Sequence, residues 1–263
     1  MPVRKNMKTG SEVLSDLIER KAQWATSRFA RRPEGIEKPR DVFLAACTEI
    51  AAAIEPKGFR YAKSGPRLTT HRGGLTCQIK FGSSYYNVAG ASVLLDPSIW
   101  ITSAKFGAWL RQHCRPWFRL NDGRLVISQL GYLLQPPRYL QWNLADPAER
   151  PEIIKDVVSI LDAGILPYFD QFADPRRLAH LVAERDIPRL PGLLAAAFLL
   201  FAVGADAASE AIRGLLKRHE AYRGPFTQAV AEFRHLGVPS TPQADGIRCL
   251  AALTVAFDLP AAL

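Results

Sequence analysis

The residues that could do chemistry are few and scattered. Histidines stand at His71, His113, His180, His219 and His235, and cysteines at Cys47, Cys77, Cys114 and Cys249. No histidine has another histidine or a carboxylate at a recognisable ligand spacing. No two cysteines form a CxxC pair, so neither a zinc site nor a thioredoxin-type motif is written locally. His113 and Cys114 are adjacent, but neighbours on a helix point in different directions, so a Cys–His nucleophile would have to be assembled by the fold. The chain has no glycine-rich phosphate loop, no GxSxG elbow, no HExxH helix and no EF-hand loop. Carboxylate pairs such as Glu152 with Asp156, or Glu184 with Asp186, read as solvated or helix-end groups. No catalytic residue, metal or cofactor is therefore assigned. An enzyme site assembled from distant residues would draw on Ser83, Tyr86, Asn87, His71 and Cys77.

Recognition chemistry is better represented. Gln78 and the run Ser83-Ser84-Tyr85-Tyr86-Asn87 lie on or just after a strand. Small hydroxyls, an amide and two tyrosines are residue types that binding loops use. The structural alternative is that Ser and Asn bond local backbone in a turn while Tyr packs with its hydroxyl outward. A basic series, Lys57, Arg60, Lys63, Arg67, Arg72 and Lys80, has Tyr61 interleaved. A groove for nucleic acid would need such cations beside stacking platforms. Arg60 and Lys63 face opposite sides of a strand, so a single patch does not follow from spacing.

Several elements must position these residues. A first helix starts near Ser11, with Leu14, Leu17, Ile18, Ala25 and Phe29 on one stripe and Trp24 beside it. The charged, proline-bearing stretch 30–40 reads as a linker. A second helix runs from about Asp41, a candidate cap, to Glu55, with Gly58 as the stop. From Leu75 to Phe81 apolar and polar residues alternate as in a half-buried strand, and Gly73-Gly74 turns the chain back to a partner over 67–71. A further strand is expected over 89–95, with Asp96-Pro97 as a turn and 99–102 as an extension or short edge. Ser103 caps a helix over 104–113. Asn121-Asp122-Gly123 reads as a hairpin turn, followed by strands at 125–130 and 139–144. Asp146-Pro147 and Asp174-Pro175 open helices, and more follow at 191–203, 206–219, 224–236 and 242–257. The fold class is α+β: an antiparallel sheet with flanking helices, followed by an all-helical C-terminal region. The expected segments are 1–40 (helix and linker), 41–172 (α+β domain) and 173–263 (helical region).

Residues 41–112 carry Asp41-Val42-Phe43, Ile54-Glu55-Pro56-Lys57-Gly58-Phe59, a hairpin ending in Gln78-Ile79-Lys80-Phe81, then Ser83-Ser84, Asn87, and Ser103 before a helix with Trp109. This pattern resembles the bacterial family called domain of unknown function 4304, over roughly 41–170. Glu55 departs from the residues usual before that proline. The resemblance implies an α+β sheet with helices packed on it, and no site residues. It also implies kinship with bacterial accessory and immunity-like proteins that act by binding.

The 263 residues are 48% hydrophobic and 22% charged, which excludes a wholly disordered, collagen-like or disulfide-scaffold chain. The formal charge of +9 is uneven: residues 1–80 hold 16 Lys and Arg against 8 Asp and Glu, the remainder 18 against 17. A basic region attracts nucleic acid, an anionic membrane surface or an acidic protein. The N-terminus lacks the apolar core of a signal peptide. The apolar run Leu193–Val203 is well short of the roughly 18 residues a membrane span needs. A cytosolic protein with reduced, buried thiols and no membrane span is expected. The leading functional expectation is a binder of a protein partner, an immunity or accessory factor. The second is a nucleic-acid-associated protein using the basic first third, and the third is the assembled enzyme site.

Overall fold

The computed structural model describes residues 10–27, 35–114, 117–118, 122–241, 243 and 245–260, and in the first helix the side chains of Ser15 and of residues 18–25. The expected α+β class is what forms: a six-stranded antiparallel sheet, flanking helices and a helical C-terminal region. The strand order is β1 (Arg60–Ala62), β2 (Arg67–Arg72), β3 (Leu75–Ser83), β4 (Leu94–Thr102), β5 (Arg124–Gln129), and β6 (Trp142–Asn143) also pairs with β4. The chain divides into two compact units: residues 1–70, 78–99 and 128–167 make the first, and 71–77, 100–127 and 168–263 the second.

In the first unit, helix α1 (Gly10–Ser27) and helix α2 (Pro39–Ile54) precede the strands. On α2 the residues Val42, Phe43, Ala46, Cys47, Ile50 and Ile54 are buried, the i, i+4 stripe of a core-facing helix. It packs on α4 (Arg150–Ile160). Lys38 occupies the cap position without a side-chain bond and Pro39 opens the helix, so Asp41 stands in the first turn and is not the cap. Gly58 ends the following turn at φ 87°, a left-handed conformation that favours glycine. Of the apolar stripe expected on α1, the described side chains are exposed, Ile18 at 60% and Ala25 also, whereas Trp24 beside it is half-buried. The side chains of Leu14 and Leu17, and all of Phe29, lie outside the described residues.

Two proposed turns prove otherwise. Asp96-Pro97 lies inside β4. The edge partner of β4 changes along its length, β6 facing Leu94 and Leu95 while the Ser103 N–H bonds Gly123 at the start of β5. A proline is tolerated where a ladder is interrupted in this way. The expected strand over 89–95 reduces to a bridge between Val88 and Ser92, with β4 starting at Leu94. The strand expected at 139–144 shortens to β6. Asp146 accepts a bond from the Ala148 N–H in a turn, and α4 begins only at Arg150. Beyond α4 the chain continues through a π-helical stretch, Leu161–Ile165, into α5 (Leu166–Asp170). There a Cβ on Gly164 would meet Leu134 at 2.7 Å.

In the second unit, α3 (Ala104–His113) is capped by Ser103, whose Oγ accepts from the Phe106 N–H at 3.2 Å. Gly73 and Gly74 turn β2 into β3 at φ 53° and 78°, as their pairing predicts. Asp122-Gly123 stands between α3 and β5 in the chain and so is not a hairpin turn; Asn121 lies outside the described residues. The helices α6 (Pro175–Glu184), α7 (Gly192–Ala202), α8 (Ala205–Arg218), α9 (Arg223–Leu236) and α10 (Gly246–Ala256) follow. Asp174 caps α6 as expected, and α10 starts at Gly246 with Asp245 as its cap, later than the sequence suggests. Pro242 lies outside the described residues. Helix α7, apolar on all sides and buried from Leu194 to Leu199, packs on α6 and α8, and α9 packs on α10. Among the described residues no helix is long and apolar enough to cross a membrane.

Candidate functional site

The loop after β3 is built by its own polar side chains. Asn87 donates from Nδ2 to Ser83 Oγ at 2.8 Å and accepts from the Leu94 N–H at 3.0 Å, which pins the loop to the start of β4. Ser84 Oγ accepts from the Tyr86 N–H at 3.1 Å. Ser83, Ser84 and Asn87 therefore do the local turn work that these residue types favour. Their bonds leave the two tyrosines to form the surface. Tyr85 is 74% exposed and Tyr86 half-buried, their rings edge to face at 5.6 Å.

Helix α1 completes this surface. Trp24 meets Tyr85 at 5.3 Å and Tyr86 at 5.7 Å, and Lys21 Nζ sits 5.5 Å from the Tyr86 ring centre. Each such ring pair contributes about 0.5–1.5 kcal/mol beyond its burial. One turn back on α1, Arg20 donates to Gln141 at 3.3 Å, Gln141 to the Tyr139 hydroxyl at 3.1 Å, and that hydroxyl to Asp96 Oδ2 at 2.9 Å. Gln129 donates to the other Asp96 oxygen at 3.3 Å and also to the Leu140 carbonyl. Tyr132 lies 6.4 Å from Tyr139, and both are about a third exposed. The result is a surface of five aromatic rings, two cations and one carboxylate.

Burial pushes the Asp96 carboxyl above its usual range, against the opposing pull of the Tyr139 and Gln129 hydrogen bonds. Burial, and then the Asp96 charge, raises the Tyr139 phenol. Asp96, Gln129, Tyr139 and Gln141 escaped the sequence reading because Asp96-Pro97 has the signature of a turn. Trp24 could have been found as an aromatic misplaced beside an apolar stripe.

Gln78 belongs to a different place. It sits five residues up β3, about 16 Å from Ser83 at the usual strand rise, and donates to Thr69 at 3.3 Å.

The six basic residues do not form one patch. Lys57 pairs with Asp162, and Arg72 with Asp170 at 3.3 Å. Arg60 opposes Thr69 and Ala62 opposes Arg67, so Arg60 and Arg67 share a sheet face. Lys80 joins them: burial and then the Arg67 charge hold its ammonium below the usual lysine range. Lys63 lies past the end of β1, exposed. Three cations, not six, are grouped.

The residues named for an assembled enzyme site split as well. Ser83, Tyr86 and Asn87 belong to the first unit, His71 and Cys77 to the second. His71 faces Thr76 at 3.5 Å. Cys77 is fully buried, and burial pushes its thiol up to about 12, as it does for Cys47 and Cys114. A thiol so disposed is not a nucleophile at neutral pH. All four cysteines are buried and outside any disulfide. Among the described residues no group of three or more metal-ligating side chains converges. Against family models, curated proteins and solved structures, the chain finds no match.

Proposed function

We propose that this protein acts by binding a protein partner through the surface formed by Trp24, Tyr85, Tyr86 and Tyr139 with Arg20 and Lys21. The observation that carries the reading is the Tyr85 ring, 74% exposed yet held between Trp24 and Tyr86 on a loop locked by Asn87. A large ring displayed at little entropic cost is what a binding anchor requires, and Tyr, Trp and Arg dominate such anchors. The partner surface that complements Arg20, Lys21 and the basic first 80 residues is acidic. The role of an immunity or accessory factor, and membership of the domain of unknown function 4304 family, go with this reading as parts of the same proposal. The basic character disfavours a nuclease as the partner, because proteins that neutralise nucleases present acidic side chains in place of phosphate.

The test is affinity capture from the native host with the wild type, Tyr85→Ala and Lys21→Glu, all at equal melting temperature. A stoichiometric protein should be retained by the wild type and lost at least tenfold by both variants, the second more strongly at low salt. Equal retention by all three would refute the surface. Recovery of nucleic acid alone, with steep salt dependence, would favour the Arg60–Arg67–Lys80 face instead.

A further inference from the structure

The second unit contains a cavity that the aromatic surface does not involve. It measures about 410 Å³, lies at the ends of α6 and α8 and the starts of α7 and α10, and falls within the usual size range of small-molecule sites. Its floor is aliphatic, formed by Val182, Ile187, Leu190, Leu215 and Leu250.

Its rim is ionic and mostly self-satisfied. Asp186 takes Arg218 Nε at 3.2 Å on one oxygen and His219 Nε2 at 2.8 Å on the other. The Arg218 Nη atoms donate to the Ala183 and Val182 carbonyls at 2.6 and 2.8 Å. Tyr222 stacks on the His219 ring at 5.2 Å and 26°. Asp245 is engaged in capping α10, accepting from the Ile247 N–H at 2.9 Å.

Arg185 is the exception. Its exposed guanidinium lines the cavity and has no ion-pair or side-chain hydrogen-bond partner among the described residues. Both rim carboxylates already accept hydrogen bonds, which leaves Arg185 as the rim cation without a partner among the described residues, above an apolar floor. No Ser, Thr or Cys lines the cavity, which therefore offers no aliphatic hydroxyl or thiol nucleophile.

We propose that this cavity binds a small amphipathic monocarboxylate, with the apolar chain on the aliphatic floor and the carboxylate on Arg185. A guanidinium fork matches a planar carboxylate in two parallel bonds, and a single unpaired cation selects a single negative charge. The Asp186–Arg218–His219 cluster holds the rim in shape for this pairing and is a positioning group.

Titration with decanoate, decanol and acetate, read by calorimetry and by saturation-transfer NMR, tests the assignment. Decanoate should saturate one site, with decanol and acetate at least tenfold weaker. Arg185→Gln should lower decanoate affinity about tenfold or more while leaving decanol unchanged, the size expected for a charge-assisted bond. Leu215→Trp, which fills the floor, should weaken decanoate and decanol alike. Arg185 is exposed, so its variant stays informative even if the floor variant fails to fold. Absence of saturable decanoate binding, or equal decanoate affinity in wild type and Arg185→Gln, would overturn the proposal.

Discussion

The aromatic surface and the helical cavity are made in opposite ways. The surface is assembled from short stretches whose internal bonds are local: Asn87 to Ser83, Tyr86 to Ser84, Lys21 and Trp24 one turn apart on α1. The cavity exists only because α6, α7, α8 and α10 converge, and its central ion pair, Asp186 with Arg218, joins residues 32 positions apart in the chain. The loop half of the surface depends on turn chemistry, while Trp24 and Arg20 of α1 reach it through tertiary contacts. A tertiary site depends on close helix packing and tolerates change in any one loop. Substitutions can break or sharpen this contrast.

The largest effect should come from close packing in the second unit. A Cβ on Gly214 of α8 would run into the Ala183 carbonyl of α6, backbone that cannot swing aside. Gly214→Ala should therefore destabilise by roughly 3 kcal/mol or more, as overpacking does at its upper end. Gly58→Ala meets open space and only its left-handed φ of 87°, so its cost should be nearer 1 kcal/mol. Denaturant titration of both measures the difference. A Gly214 variant as stable as the Gly58 variant would mean that α6 and α8 are not in contact.

Asn87→Ala comes next. It removes two hydrogen bonds from the loop and should cost about 1–3 kcal/mol. It should also raise amide exchange at residues 84–88 while leaving α7 and α8 protected, by hydrogen-exchange measurement. Uniform loss of protection across both units would show that the loop is not a local device.

The smallest effects are electrostatic and of opposite sign at Asp96 and Glu232. Asp96 is raised by burial, so the folded state binds its proton more tightly than the unfolded chain does. Stability falls as pH rises through the window from the usual carboxylate value to the raised one, and Asp96→Asn should flatten that window. Glu232 is lowered, first by its hydrogen bond to Arg248, which donates to both of its oxygens. Its contribution is present above the unfolded value and is lost as pH falls through the folded one, so Glu232→Gln should remove acid sensitivity. Glu37, bonded by Arg150 in the first unit, shares the sign of Glu232 and supplies the control. Urea midpoints across acid pH distinguish Asp96→Asn, Glu232→Gln and the control Glu37→Gln. A parallel change in Asp96→Asn and Glu232→Gln would contradict these assignments.

Period and punctuation made much of the fold readable. Alternation over 75–81 and the Gly73-Gly74 pair sufficed for a hairpin, and Ser103 and Asp174-Pro175 for two helix starts, because each is a short-range stereochemical device. The same short range misled at Asp96-Pro97, where interrupted edge pairing makes room for a proline inside a strand. The Ser83–Asn87 run was legible as a polar loop. Trp24 and Tyr139 as its neighbours were not, since tertiary packing brings them there. The pairing of Asp186 with His219 was hidden for the same reason: only packed helices close a separation of 33 residues.

The most direct measurement is comparative capture of the host protein partner by wild type, Tyr85→Ala and Arg185→Gln at matched stability. The account predicts stoichiometric recovery with the wild type and with Arg185→Gln, and at least a tenfold loss with Tyr85→Ala. Recovery by Tyr85→Ala at the wild-type level would contradict it.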